Sequence, residues 1–293
     1  MLAADHNKRT AMADKPEIAA RGKLEDKDYN LFAEYLETLC GIVLGKNKQY
    51  LVLSRLAPML EEYHVESYAE LIELLIKEKR KELAAKVVDA MTTNETSWFR
   101  DQFPFEQLKH HILPEFLESG RRRVNVWSAA CSSGQEPYSI SMAIAEFLDS
   151  HSKCFMNPKV TATDISPEIL AQARKGVYDE VAVSRGLSAT QRKRFFTPLN
   201  DHFQVTAEVR SRVSFQLLDL QKDYSILGNQ DLIFCRNVLI YFSSDLRDKI
   251  IERMVNLLNP KGYLYLGASE SLGRFARHFS IVRGDGGVVH QLK

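Results

Sequence analysis

The stretch VNVWSAACSSGQEP (residues 124–137) decides the architecture. A short β-rich run, VNVWSA, gives way to the small side chains of Ala130, Cys131, Ser132, Ser133 and Gly134, then to a helical segment from Pro137. Strand, small-residue loop and helix in that order open a parallel α/β unit. Working outward, the rhythm returns. KVTATD (159–164) reads as a second strand, and Ser166-Pro167 opens the next helix, because Ser caps and Pro tolerates the first helical position. SFQLLDL (214–220) and QDLIFCRN (230–237) read as two more strands. Ser243 and Ser244 precede a helix with Leu246, Ile250, Met254 and Leu257 on one face, ended by Asn259-Pro260. GYLYLGAS (262–269) is a fifth strand, and FSIVRGDGGVVHQLK (279–293) reads as a hairpin about Asp285-Gly286-Gly287. The alternation predicts a doubly wound, mostly parallel sheet covered on both faces. The interval 176–213 breaks it and reads as a small inserted antiparallel β-subdomain, with candidate strands in HFQVT (202–206) and VRSRVSF (209–215).

Upstream the period is helical. Leu31, Phe32, Tyr35, Leu36 and Leu39, then Leu71, Leu74 and Leu75, then Leu83, Val87 and Val88 recur at three- and four-residue steps. Residues 27–91 therefore read as a domain of three or four helices punctuated by Gly41 and Gly45, 92–104 as an interdomain linker, and 105–293 as the α/β domain. Residues 1–26, polar and charged, read as a loose tail.

The 293 residues are 45% hydrophobic, with 39 Lys+Arg against 38 Asp+Glu, enough for a sizeable core and without the basic excess of a nucleic-acid binder. No apolar run approaches the ~20 residues of a membrane span, and the N-terminus lacks the apolar core of a signal peptide. Cys40, Cys131, Cys154 and Cys235 form no CxxC pair, which disfavours disulfides and a zinc cluster. The expectation is a cytoplasmic protein with no membrane insertion, no nucleic-acid partner and no metal centre.

Doubly wound sheets bind ligands beyond the carboxyl ends of their strands. Four groups stand there. Glu136, at a helix start, complements the helix dipole or meets a cationic ligand group. Asp164 caps its own turn or accepts ribose hydroxyls, and the two roles can coexist. Asp219 and Leu220 end the third strand. Arg236, Asn237 and Tyr241 follow the fourth, where buried polar groups need partners from the fold or a ligand. The 30 residues from Gly134 to Asp164 exceed the ~20 of a dinucleotide fingerprint, against a nicotinamide cofactor. In the junction MTTNETSWFRDQFPF (91–105), Trp98, Phe99, Phe103 and Phe105 suit a domain contact, whereas Asn94, Thr96 and Arg100 do not.

Taken together, NETSWFRD, WSAACSSGQEPYSI, TATDIS and IFCRNVLIYF closely resemble the CheR family of chemotaxis receptor methyltransferases, from about Tyr29 to the C-terminus. The resemblance implies a class I methyltransferase fold, Rossmann-like, with an N-terminal helical domain and an inserted β-subdomain. It implies S-adenosylmethionine as cofactor and methylation of glutamate side chains on the cytoplasmic helical bundle of chemoreceptors. It further implies that Asn94, Thr96 and Arg100 contact the cofactor or active site, that Glu136 lies near the aminocarboxypropyl part, and that Asp164 holds the ribose. Asp219 and Leu220 would border the adenine, Arg236 and Asn237 line the cleft, and Tyr241 sit near the transferred methyl. Arg100 and Tyr241 are the candidate catalytic residues. Lys46, Lys48 and Arg55 are candidate receptor contacts. Members that dock a C-terminal receptor pentapeptide carry a glycine-containing insertion in a β-subdomain loop; FFTPLNDHFQVTAEV has no glycine, so no tether is expected. A glutamate carboxylate, pKa ~4.3, is ionised at neutral pH and needs no general base. Two other readings use the same residues: a class I methyltransferase of another acceptor, and a cofactor-binding scaffold without turnover.

Overall fold

A computed structural model of the chain describes residues 23–151, 155–284 and 286–293. Most of the expected tail, Cys154 and Asp285 lie outside those residues.

Four helices come first: α1 (Asp26–Cys40), α2 (Gln49–Glu62), α3 (Tyr68–Glu78) and α4 (Lys81–Met91). Their apolar stripes, with Phe32, Leu36, Val52, Leu71 and Leu83 buried, close a separate core. Gly41 ends α1 with φ 80, the left-handed conformation that glycine adopts without a Cβ penalty. After the junction, α5 (Phe103–Gln107), a π-helical turn (Leu108–Ile112) and α6 (Leu113–Glu118) form a helical segment that the sequence reading passed over. It buries Phe105, Leu108, Ile112, Leu113 and Phe116 against the sheet.

The α/β part follows as β1 (Arg123–Ala129), α7 (Gln135–Ser150), β2 (Asn157–Asp164), α8 (Pro167–Lys175), β3 (Val177–Asp179), α9 (Glu180–Val183), α10 (Ala189–Phe195), β4 (Phe196–Leu199), β5 (His202–Val205), α11 (Ala207–Arg210), β6 (Val213–Leu217), β7 (Gln230–Cys235), α12 (Ser244–Leu257), β8 (Leu258–Leu266), β9 (Phe279–Gly284) and β10 (Gly287–Leu292). The large sheet has the order β6-β2-β1-β7-β8-β10-β9. Its first five strands pair in parallel, while β10 is antiparallel to both β8 and β9. Strand alternation splits the core. Val124, Val126, Leu232 and Phe234 face α7 and the α5–α6 segment, whereas Trp127, Ile233 and Cys235 face α12. Strand order reverses at β1, where β2 lies on one side and β7 on the other, so the ligand crevice of such a sheet falls between β1 and β7.

β3, β5 and β4 form the inserted three-stranded antiparallel sheet. Two sequence readings are corrected here. VRSRVSF is not one extended run: residues up to Arg210 make a helical turn, capped by the Arg210 N–H to the Thr206 carbonyl (3.1 Å), before β6 begins at Val213. And β6 stops at Leu217, so Asp219 and Leu220 lie in the following turn. The Asp219 carboxylate accepts from the Gln221 N–H (2.8 Å), a side-chain turn that competes with the ladder. Among the described residues no helix is long and apolar enough to cross a membrane.

The junction is pinned to the inserted subdomain through Trp98, whose ring meets Tyr178 (4.8 Å) and Phe196 (5.0 Å) edge-on. Gly186, at φ +93, passes so close that a Cβ would lie 2.0 Å from the Trp98 carbonyl oxygen. Gly186→Ala is therefore expected to cost ~3 kcal/mol in urea unfolding, through backbone strain and displacement of the Trp98 chain.

Candidate active site

Loops from both domains meet over the carboxyl ends of β1, β2 and β7. After β1 the chain turns sharply, with Ala130 (φ 53), Ser132 (φ 51) and Gly134 (φ 97) all left-handed, before α7 begins. After β2, Ser166 caps α8 by accepting from the Ile169 N–H (3.0 Å). Asp164 ties these loops together. One carboxylate oxygen accepts from the Ser132 N–H (2.8 Å), the other from the Ser166 N–H (3.1 Å). The turn-forming role weighed for Asp164 is thus seen, and the carboxylate also borders the cleft.

Arg236 is a deeply placed charge, its side chain 2% exposed. One guanidinium nitrogen donates to Glu136 (2.9 Å), the other to Asp101 (2.6 Å) and the Arg100 carbonyl (2.9 Å). Glu136 also accepts from the Ser128 hydroxyl (2.8 Å). The partners demanded by a polar residue after an apolar strand are two carboxylates, one on α7 and one in the junction.

Asn94, Thr96, Arg100, Glu136, Asp164, Asp219, Leu220, Arg236, Asn237 and Tyr241 all border a single cleft, which holds about 1020 Å³ of empty space, part of it open to solvent. The Ser132 hydroxyl donates to the Asn94 carbonyl (3.0 Å), fixing the junction over the β1 loop. The Arg100 side chain makes one hydrogen bond, to the Glu95 carbonyl (3.3 Å), and has no carboxylate partner among the described residues. The helical domain also takes part, which sequence reading did not find: Cys40, Ile42 and Met91 border the cleft, and Ile42 pairs with Phe242 as an antiparallel bridge. Asp101 and Glu270 were missed too. Asp101 adjoins Arg100 within a motif already quoted, and Glu270 follows β8, where the strand-end rule would have found it. Among the described residues no cluster of His, Cys, Asp or Glu could hold a metal ion.

Of the candidate partner contacts, Lys46 and Lys48 are exposed in the loop between α1 and α2. Arg55 faces inward. It donates to the Met91 (2.7 Å) and Thr92 (3.0 Å) carbonyls and to the Thr93 hydroxyl (3.1 Å), bracing the junction, which removes it from the pool of free surface cations.

A parallel sheet reversing at β1, with an acid after β2 and a crevice across the switch point, defines a Rossmann-like fold of the class I methyltransferase kind. The comparisons with known proteins carry this to a family. Residues 94–288 match the profile described as CheR methyltransferase, SAM binding domain, and residues 27–92 match CheR methyltransferase, all-alpha domain. The chain is 46% identical to a chemotaxis protein methyltransferase of Pseudomonas putida over 91% of its length and 98% of the relative's. It is 45% identical to one of Vibrio cholerae over 92% and 98%, and 46% identical to one of Pseudomonas aeruginosa over 91% and 98%. The chain belongs to the CheR family of S-adenosylmethionine-dependent chemotaxis protein methyltransferases.

Burial pushes the Asp164 carboxyl above its ordinary range, against the opposing pull of the Ser166 and Ser132 N–H groups. The native state therefore keeps this proton to higher pH than the unfolded chain does. Asp164 makes stability fall as pH rises from the ordinary carboxylate pKa through the raised one. The melting temperature of Asp164→Asn minus that of the parent should rise with pH across that acid interval and then level off. A flat difference in calorimetric scans at several pH values would contradict it.

Proposed function

We propose that this cleft holds S-adenosylmethionine and methylates glutamate carboxylates on the cytoplasmic helical bundle of chemoreceptors. The observation that carries this reading is the pairing pattern of the cleft's cations. Arg236 is paired with Glu136 and Asp101, whereas Arg100 borders the same space with no carboxylate partner among the described residues. An unpaired guanidinium suits an incoming carboxylate, which it can grip with two parallel N–H groups.

The donor set fits the cofactor. Asp164 offers acceptors for vicinal hydroxyls, Asp219 acceptors for amino groups, and Ile165, Leu218 and Leu220 apolar faces for a purine, while Glu136 and Arg236 offer both signs to a zwitterionic tail. When bound, the cofactor supplies an electrophilic methyl on a sulfonium. The chain supplies alignment and dryness. Arg100 holds the acceptor carboxylate, and Tyr241, whose hydroxyl makes no hydrogen bond among the described residues, orients it. Ile42, Met91 and Phe242 exclude water, which frees the carboxylate from the hydration that blunts it. No base is needed, and among the described residues no histidine borders the cleft. Burial pushes the Cys40 thiol up to about 11 and the Cys131 thiol upward as well, so neither bordering sulfur competes as a thiolate at neutral pH.

The test is tritiated methyl transfer to receptor-containing membranes, with methanol released by mild base as the mark of a carboxyl ester. Arg100→Ala and Tyr241→Phe are expected to lower kcat by roughly 10²-fold and 10-fold, at unchanged cofactor affinity for Tyr241→Phe. Full rates in either variant would remove that residue's role.

The absence of a tether is supported by the tip of the inserted sheet, where Leu199 pairs directly with His202 across a two-residue turn, Asn200-Asp201. A tether would act by raising local concentration, so removing the receptor's C-terminal pentapeptide should leave the methylation rate within about twofold.

A further inference from the structure

We infer that the Glu270 carboxylate positions the turn Asn237–Tyr241 for methyl transfer, an inference that rests on the functional reading above. Strand β7 ends at Cys235, and Asn237 then takes φ 59, a left-handed conformation that halts the ladder. Leu239–Tyr241 follow as a 3₁₀ turn. The leading N–H groups of such a turn have no backbone acceptor. All three converge on one side chain. The Val238 and Leu239 N–H groups donate to Glu270 Oε1 (2.9 and 2.7 Å), and the Asn237 N–H donates to Oε2 (2.9 Å). The Gly267 N–H completes the set at Oε2 (2.6 Å).

Successive N–H groups around one anion make a nest, and bonds to an ionised acceptor are about twice as strong as neutral ones. Glu270 does not border the cleft. It works through Asn237, Val238 and Tyr241, which do. The other ties on the turn are weaker or local: Tyr241 N–H to Val238 carbonyl (3.2 Å), Phe242 N–H to Leu239 carbonyl (3.2 Å), and Val43 N–H to Tyr241 carbonyl (2.9 Å). The carboxylate reaches the turn from the loop after β8, so it clamps two neighbouring strand ends together. Gly267 makes room for it. A Cβ there would lie 2.7 Å from Glu270 Oε2 and 2.9 Å from the Asn237 nitrogen, and Gly267 itself is outside the left-handed region. Gly267→Ala therefore displaces the carboxylate and crowds the Asn237 backbone, without placing the alanine in the left-handed region.

Two variants break the clamp by different means. Glu270→Gln turns one oxygen into a donor facing two backbone N–H groups, and Gly267→Ala leaves the carboxylate but moves it. The control is Asp231→Asn at the opposite end of β7, where a buried carboxylate holds Arg121, the Asn125 N–H (2.8 Å) and Asn259 (2.8 Å) far from the cleft. Each full-length protein is measured for melting temperature, S-adenosylhomocysteine affinity by calorimetry, and kcat at saturating cofactor. Glu270→Gln and Gly267→Ala are expected to lower kcat about tenfold and weaken binding several-fold, with the double variant no worse than either, since both break one unit. Asp231→Asn should lower the melting temperature while leaving affinity and kcat within about twofold. The inference is overturned if the two clamp variants lose stability alone and track Asp231→Asn. Should the parent protein bind S-adenosylhomocysteine yet transfer no methyl to receptors, the functional reading falls. The affinity comparison then still decides for or against Glu270.

Discussion

Arg236 is the constraint on which the rest of the cleft depends. A guanidinium 2% exposed cannot remain unpaired, because an isolated buried charge carries a large desolvation penalty. The interaction draws on three places in the chain: Arg236 follows β7, Glu136 lies in the first turn of α7, and Asp101 with the Arg100 carbonyl belongs to the junction. Satisfying one cation therefore fixes the sheet, a helix start and the interdomain segment relative to one another. The unusual backbone of the junction, with Phe99, Asp101 and Gln102 all at positive φ, is held in place by that requirement and by the packing of Trp98.

Two kinds of acid surround the space and do different work. Glu136 and Asp101 pair with Arg236. Asp164 is bonded to backbone N–H groups on both oxygens, and each oxygen keeps a further lone pair for a ligand. Arg100 stands apart as a cation of the cleft with no carboxylate partner among the described residues. The helical domain is part of this arrangement: Arg55 braces the junction and the Ile42–Phe242 bridge joins the two domains beside Tyr241. A partner docking on the exposed loop carrying Lys46 and Lys48 would sit a few residues from that bridge.

The alternating strands and helices were legible in the sequence because β1 and β7 are short apolar runs closed by small or polar residues, and because Ser166 and Ser243 advertise helix starts through their capping hydroxyls. The α5–α6 segment was not legible. It joins two short helices through a π-helical turn, each with a proline in its first turn, and this breaks the 3.6-residue stripe that a periodicity search needs. The end of β6 was misplaced because Leu217, Leu218 and Leu220 extend the apolar run past the point where the Asp219 side chain captures a backbone N–H. Glu270 directly follows GYLYLGAS (262–269), so its strand-end position was legible, whereas the distant turn that its carboxylate caps was not.

By itself, the sequence determined the two-domain plan, the parallel sheet and the set of polar residues at its carboxyl edge, since local patterning and strand-end position are properties of neighbouring residues. Only the tertiary structure decided how those residues are paired. Arg236 with Glu136 and Asp101, Arg55 with the junction, and Glu270 with the Asn237–Tyr241 turn are contacts between segments 31 to more than 100 residues apart. Charge compensation and hydrogen-bond satisfaction are settled by which chains meet in space, and a linear pattern does not carry that information.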